Sequence, residues 1–290
     1  MSSYLELRHS DWRVHRQRMK QIAHGLRWWI VLAGALVTYL LLAYMILPAL
    51  WSHHEREPGL ASLPMVTRTA SGIPGDALNV GLVGGKEDIL RAMHAAAWFP
   101  ADPITLRTSL EIVGSVALDR PYKDAPVSPL YYEGRKEQLA FEKPEGSSAD
   151  RRHHVRFWMV LEKGTDGRPV WLGSATFDRG VGLSHDTGQV THHIAPNIDA
   201  DRDLLMRDLR GAGMVQNFFQ VSGTGPTLAG RNGEGDPYYT DGEIYIATLV
   251  VDGARRTEPP VTIPPPAVIA LKDEVWHSIG SAVTSSRKSD

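Results

Sequence analysis

The sequence contains no cysteine, and this absence removes several kinds of chemistry at once. No disulfide can form, no thiolate can act as a nucleophile, and no zinc site can use cysteine ligands. The chain also has no excess of positive charge, since its formal net charge is -2 at pH 7. Non-specific nucleic-acid binding needs a basic surface that neutralises phosphates, so we expect no nucleic-acid partner.

One long uncharged apolar run stands near the N-terminus, from Trp28 to Leu47. A helix of about 20 apolar residues spans a bilayer, and aromatic residues such as Trp29 and Trp51 are typical of the membrane interface. We therefore predict a single-pass transmembrane helix over residues 28–50. A cleaved signal peptide is the alternative, but its apolar region is shorter, about 7–15 residues.

The residues before this run are rich in basic side chains. They are Arg8, Arg13, Arg16, Arg18, Lys20 and Arg27. The positive-inside rule places such a segment in the cytoplasm, so residues 1–27 are predicted to be cytoplasmic and the rest extracytoplasmic. In a Gram-negative cell this describes an inner-membrane protein with a periplasmic domain.

Composition divides the rest of the chain into three parts. Residues 51–78 carry Pro and Gly without a hydrophobic period, which predicts a linker. Residues 79–252 have the patterns of one domain with its own core. Residues 253–290 begin with a Pro-rich segment, and we expect a short helix near Ala267–Ile279 and a disordered tail.

The domain combines helical and strand patterns. Helical spacing predicts helices over Lys86–Ala97, in a segment beginning at Asp102, and over Asp199–Ala212. Short segments rich in β-branched and aromatic residues predict strands between and after them. The expected fold class is α+β, in which one globular domain follows the transmembrane helix and has a mainly antiparallel sheet with helices on one face.

Several segments have an individual character, and they occur in a fixed order. They are Arg107–Ser109, Ala125–Leu130, Leu139–Pro144, Arg151–Trp158, Trp171–Asp178, Thr191–Ile194 and Asp199–Asp203. Over roughly residues 79–220 the chain thereby resembles the LssY C-terminal domain, a bacterial family without an assigned activity. The resemblance implies a membrane context and no catalytic residues. The chain departs from the family at two turns, with Ala97 where Gly is expected and Gly85 where Ser is commoner.

Basic side chains are concentrated on one predicted strand. Side chains alternate between the two faces of a strand, so Val155 and Phe157 point to one face while Arg152, His154 and Arg156 point to the other. With Arg135, these three residues form a candidate binding surface. An envelope protein or an anionic lipid headgroup would suit such a basic surface.

Imidazole and carboxylate groups are frequent in the same region. His154, Asp178, His185, His192 and His193 are candidate ligands of a divalent metal ion, which His and Asp side chains commonly bind. None of their spacings matches a strong metal motif such as His-Glu-x-x-His. Histidines that only satisfy hydrogen bonds in the core are the alternative interpretation.

Two functions follow from these residues. The first is an envelope binding or interaction module held at the membrane by its anchor. The alternative is a hydrolase, metal-dependent or using His and Asp as acid and base, that acts on a phosphorylated lipid or another envelope substrate. Side chains that meet within about 4–5 Å would favour hydrolysis, whereas an open sheet face would favour binding. We also expect His154, Arg156 and His193 to contribute more to function than to stability.

Overall fold

The computed structural model describes residues 24–101, 129–146, 151–183, 185, 188, 190–224 and 229–287. Helix α1 (His24–Trp51) has a mean hydropathy of 2.4 over an 18-residue window and is long and apolar enough to cross a membrane. It includes a π-helical turn at Leu42–Ile46. The chain divides into two compact units, and the second unit, Trp51–Asp290, holds the other described elements.

The second unit contains fifteen strands, one 3₁₀ turn and three helices among the described residues. In chain order they are the 3₁₀ turn Pro58–Ser62, β1 (Val66–Thr69), β2 (Pro74–Ala77), β3 (Val80–Val83), α2 (Lys86–Ala95), β4 (Phe99–Pro100), β5 (Leu130–Tyr132), β6 (Arg135–Lys136), β7 (Leu139–Pro144), β8 (Arg152–Leu161), β9 (Val170–Leu183), β10 (Val190–Ile194), α3 (Ile198–Gly211), β11 (Val215–Ser222), β12 (Gly230–Arg231), β13 (Pro237–Tyr238), β14 (Glu243–Leu249), β15 (Val261–Thr262) and α4 (Ala267–Arg287).

The larger sheet has the strand order β15-β11-β14-β3-β9-β8-β7-β4, and β10 pairs with β9. Most neighbours are antiparallel, but β3 and β14 are parallel, as are β11 and β15. Strand β9 pairs with β8 along most of its length and with β10 through Asp178–Leu183. A smaller antiparallel sheet has the order β2-β1-β5-β6. The predicted α+β class is confirmed in this coarse form, a mixed, mainly antiparallel sheet with few helices.

Helices α2 and α3 pack in one hydrophobic core with the larger sheet. The core includes Ile89, Leu90 and Met93 of α2, Leu205 and Leu209 of α3, and Val155 and Phe157 of β8. Each helix has a polar side chain at its start. Asp88 accepts a hydrogen bond from Gly85 N at 3.3 Å, and Asn197 accepts one from Ala200 N at 3.3 Å. Such contacts satisfy N–H groups that the first helical turn leaves free.

A second core lies on the other face of the larger sheet. There, side chains from the alternate strand positions pack together with side chains of the smaller sheet. Its members include Leu60, Leu130, Tyr132, Trp158, Leu172 and Ile246. Phe157 and Trp158 are neighbours in sequence but belong to different cores, because side chains alternate along a strand. The larger sheet is therefore covered on both sides.

The segment 51–78 differs from the linker that its Pro and Gly content predicts. It contains the 3₁₀ turn, β1 and β2, and Leu60 and Leu78 in it are buried in the second core. Four-residue strands are too short to show a clear hydrophobic period, and the Gly and Pro residues belong to the turns around them.

The C-terminal part also differs from the prediction. Helix α4 (Ala267–Arg287) extends past the expected Ile279, and Ile269 and Lys272 in it are buried. The helix predicted to begin at Asp102 lies outside the described residues.

Candidate metal centre

The basic strand is β8, and its register with β9 is fixed by the sheet. Arg152 lies opposite Asp178, His154 opposite Thr176, and Arg156 opposite Ser174. Opposed residues of an antiparallel pair share a face, so the side chains predicted to share a face do so. The assignment of Val155 and Phe157 to the other face, in the core with α2 and α3, is confirmed.

This polar face is buried, which corrects the expectation of an open binding stripe. His154 is 4% exposed and Arg156 is 7% exposed. The Arg156 guanidinium lies 3.5 Å from Oδ2 of Asp76 on strand β2. Burial raises the pKa of the Asp76 carboxyl, and the charge of Arg156 opposes this rise. This burial could not be predicted from the local pattern because β2, which carries Asp76, lies in the segment predicted to be a linker.

The other two residues of the predicted binding surface are also engaged. Arg152 donates to Glu142 at 2.9 Å and to Asp178 at 3.3 Å. Arg135 donates to the Met159 carbonyl at 3.1 Å and keeps an exposed side chain. The four arginine and histidine residues therefore do not form one continuous exposed patch.

Two of the predicted metal ligands do meet, together with a carboxylate that the sequence analysis did not select. His185, His193 and Asp236 each offer one ligand atom, and these atoms lie within 4.8 Å of one another. His193 Nδ1 is 2.7 Å from Asp236 Oδ1, and His185 Nε2 is 3.7 Å from the same oxygen. The two imidazole rings have their centroids 5.3 Å apart. We call these three residues the His–His–Asp cluster.

The Asp236 carboxylate is held by the chain around it. Its side chain has no exposed surface, and Oδ2 accepts a hydrogen bond from Ile194 N at 2.9 Å. Asp236 N donates to Oδ1 of Asn232 at 2.8 Å, which closes the Gly-rich loop after β12. The side chain of Asn232 also hydrogen-bonds Asp76. One loop thus connects the cluster to the buried Asp76–Arg156 pair.

The two histidines are positioned by different means. His193 lies on β10, and its ring packs over Gly182 of β9, where a Cβ would lie only 2.6 Å from His193 Cδ2. His185 follows β9, and its backbone N–H donates to the Glu234 carbonyl at 3.0 Å. Its side chain is 61% exposed. The cluster therefore has one ordered, buried side and one side open to solvent.

The remaining predicted ligands lie elsewhere. Asp178 is 3.3 Å from Arg152, and His154 lies on β8 opposite Thr176. His192 lies on β10 opposite Val181, but its side chain is outside what the structure describes. Asp236 was missed because it is 43 residues from His193 in sequence. The available signal was an acidic residue ending the Gly-rich segment Gly230–Asp236.

Two imidazoles and one carboxylate form a ligand set that Zn²⁺ and related divalent ions use in proteins. Ligand atoms around one tetrahedral zinc ion lie about 3.4 Å apart, because each is about 2.0–2.2 Å from the metal. The 2.7 Å and 3.7 Å contacts to Asp236 lie on either side of that value, so small side-chain rotations would admit an ion. Three protein ligands leave a coordination position for water.

Comparison with known proteins gives a family match. A family model described as LssY C-terminus matches residues 60–244. The matched region includes most of the segment first assigned as a linker, as well as the His–His–Asp cluster. No curated protein and no solved structure matches the chain.

Proposed function

The chain belongs to the LssY C-terminus family over residues 60–244, and from that premise we propose a membrane-tethered, metal-dependent hydrolase with its metal centre at the His–His–Asp cluster. The family has no assigned activity, so the proposal rests on the geometry of this chain. The observation that carries it is the meeting of His185, His193 and Asp236 ligand atoms within 4.8 Å.

The charge and burial of the cluster are compatible with a bound cation. Asp236 Oδ1 is approached by two imidazoles, while Oδ2 is satisfied by Ile194 N. A fully buried carboxylate is costly unless it is paired or coordinates a metal. The His185 side chain is 61% exposed, so solvent reaches the cluster from that side.

The chemistry of such a centre is hydrolytic. His185, His193 and Asp236 would hold the ion, and Zn²⁺ in such a site would supply a water of lowered pKa as nucleophile and a Lewis acid for a phosphoryl or carbonyl oxygen of the substrate. The membrane tether directs this activity to envelope substrates, and a phosphorylated lipid is the substrate class we propose.

Location in the inner membrane, with the N-terminus cytoplasmic and the domain periplasmic, is part of the proposal. It is supported by the apolar helix α1 and by the basic residues that precede it. A C-terminal fusion to a reporter that is active only outside the cytoplasm tests this orientation. An active fusion is expected, and a stable but inactive one would contradict it.

An envelope binding module is the second candidate, at a surface that the sequence analysis did not identify. A groove of about 740 Å³ beside α3 is lined by Arg207, Arg210 and Arg256, with Phe218 and Tyr245 also in its wall. Asp203 and Glu258 also line the groove, so three guanidinium groups against two carboxylates leave it net basic, and guanidinium groups near aromatic rings suit an anionic ligand. Here Arg207→Glu and Arg210→Glu are expected to abolish binding of short-chain phosphatidic acid without changing metal content.

The test of the metal centre uses the full chain purified in detergent, stripped of metal and titrated with Zn²⁺. We expect one Zn²⁺ ion to bind per chain with high affinity. We expect His193→Ala and Asp236→Asn to lower that affinity at least about 100-fold. His94→Ala is the matched control, because His94 is exposed on α2. Equal zinc affinity in all variants would overturn the site. Zinc binding without hydrolysis of p-nitrophenyl phosphate or phosphatidic acid would overturn the hydrolase.

A further inference from the structure

The chain leaves α1 and enters the domain at one end of the β11–β14 strand pair. Ser222 Oγ donates to the Trp51 carbonyl at 2.9 Å, and His53 N donates to Ser222 Oγ at 2.9 Å. His54 Nε2 lies 3.1 Å from the Ser222 carbonyl. Residues 51–54, which we call the exit segment, are therefore fastened to the end of β11.

Helix α4 is fastened at the same place. Ser222 and Glu243 are direct partners in the β11–β14 register. Glu243 forms a buried ion pair with Lys272 of α4, both side chains being 1% exposed. Gln220 of β11 contacts both segments directly. Its side chain donates to Asp273 of α4 at 2.7 Å, and its carbonyl lies 2.9 Å from His53 Nε2. One residue thus contacts both the exit segment and α4.

The side of α4 away from these contacts carries unpaired apolar surface. Leu271 is 61% exposed and Val275 is 47% exposed. They are four residues apart, so they lie one above the other on the helix surface. Ile269 and Lys272 on the inner side are buried. Single exposed apolar residues are ordinary, but these two form an adjacent pair on a helix whose inner side is fastened to the strand end that also holds the exit segment.

We propose that Leu271 and Val275 of α4 contact the lipid bilayer that holds α1. This inference rests on the membrane anchoring in the proposed function. Trp51 ends the apolar helix and occupies the position of an interfacial aromatic residue, so groups hydrogen-bonded around the exit segment lie near the headgroup region. Apolar side chains there gain free energy by entering the acyl boundary.

The absence of cysteine provides a direct test in the full chain. Single substitutions Leu271→Cys and Val275→Cys are labelled with an environment-sensitive dye, and the chain is reconstituted in phosphatidylcholine vesicles containing doxyl-labelled lipid. Val251→Cys is the matched control. Val251 is 52% exposed, and it follows Leu249, which pairs with Val215 at the opposite end of the strand pair. The first and last residues of β14, Glu243 and Leu249, are about 20 Å apart along the strand.

We expect quenching at positions 271 and 275 to exceed that at position 251 at least about threefold. A fourth label, at Leu36→Cys in α1, reports on the anchor itself. Quenching at position 36 with equal, weak quenching at 251, 271 and 275 would overturn the α4 inference alone. No quenching at position 36 would overturn the anchor and the α4 inference together. A third outcome is that the dyes at 271 and 275 report a more apolar environment as the protein density rises, without being quenched by the lipid. That outcome would assign the surface to a second copy of the chain and overturn the lipid contact.

Discussion

Asn79 and Ala175 are joined by a reciprocal pair of hydrogen bonds that links strand β3 to β9. Asn79 Oδ1 accepts from Ala175 N at 2.8 Å, and Nδ2 donates to the Ala175 carbonyl at 3.0 Å. The same Nδ2 also donates to the Ile198 carbonyl at the start of α3, at 3.0 Å. One buried amide therefore hydrogen-bonds backbone groups of both β9 and α3.

Asn79→Ala is expected to lower the free energy of unfolding by about 3 kcal/mol. The substitution removes the side-chain partner of both the N–H and the carbonyl of Ala175, and a buried backbone group left unpaired costs about 1–3 kcal/mol. Urea unfolding of the full chain in detergent measures the change. Gln216→Ala is the control, because Gln216 is exposed and its loss should change stability by under about 0.5 kcal/mol. Equal effects of the two substitutions would contradict the role of Asn79.

Local patterns predict the faces of the strands but not what covers them. The alternation of Val155 and Phe157 with His154 and Arg156 follows from strand geometry, and the structure confirms it. The burial of His154 and Arg156 depends on other segments. Among these is β2, whose Asp76 contacts Arg156 and whose few residues carry no strong strand signal.

The candidate metal centre shows the same limit. His185 and His193 could be selected as ligand types, but their partner Asp236 is brought in by a loop between distant strands. A single sequence contains no signal that pairs residues so far apart. The apolar run of α1, in contrast, is a local feature and could be predicted directly from composition.

Arg156→Ala is expected to reduce stability more than function, which reverses the expectation from the sequence. Removing the guanidinium leaves the buried Asp76 carboxyl without its ionic partner, and breaking one partner from a buried ion pair costs about 3–5 kcal/mol. Thermal unfolding should show the loss, while zinc affinity of the folded fraction stays near that of the wild type. Near-native stability with lost zinc binding would restore the original expectation.

The same variant should show a characteristic pH dependence. Burial already raises the pKa of Asp76 above its ordinary value, and Arg156 opposes that rise. A carboxyl whose folded pKa is raised contributes stability at low pH, and this contribution is lost as the pH rises through the folded pKa. The deficit of Arg156→Ala relative to wild type should therefore be larger at pH 7 than at pH 5. A second substitution, Asp76→Asn, should remove this difference, and a deficit that is independent of pH would argue against Asp76 as its source.

The exit segment is expected to loosen in mild acid because of His54. Burial lowers the pKa of His54, while its hydrogen bond to the Ser222 carbonyl acts in the opposite direction. The neighbouring His53 lowers this pKa further, and Glu55 raises it. A base whose pKa is lowered on folding stabilises the folded state fully above its ordinary pKa, about 6.5, and this stabilisation is lost as the pH falls below that value and through the lower pKa of the folded state.

Hydrogen exchange at the Ser222 amide, which donates to the His53 carbonyl at 3.0 Å, measures this effect. After correction for the intrinsic rate, protection should decrease between pH 7 and pH 5 in the wild type. His54→Gln should abolish the pH dependence, whereas His277→Gln, at an exposed position on α4, should retain it. Identical profiles in wild type and His54→Gln would show that another group controls the segment.

Gly182→Ala separates the geometry of the metal centre from the stability of the fold. A Cβ at this position would lie 2.6 Å from His193 Cδ2, so the imidazole must shift to make room, which disturbs its 2.7 Å contact with Asp236. Displacing a ligand by this amount should weaken zinc binding about 10–100-fold, as changes in ligand orientation commonly do.

Gly211→Ala is the control, since a Cβ there meets no atom within 4 Å. Zinc titration and thermal unfolding are measured on both variants. Because His193 is partly exposed on one side, Gly182→Ala should unfold close to the wild-type temperature while losing affinity, and Gly211→Ala should keep both properties. Unchanged zinc affinity in Gly182→Ala would show that His193 does not ligate the ion in the orientation described here.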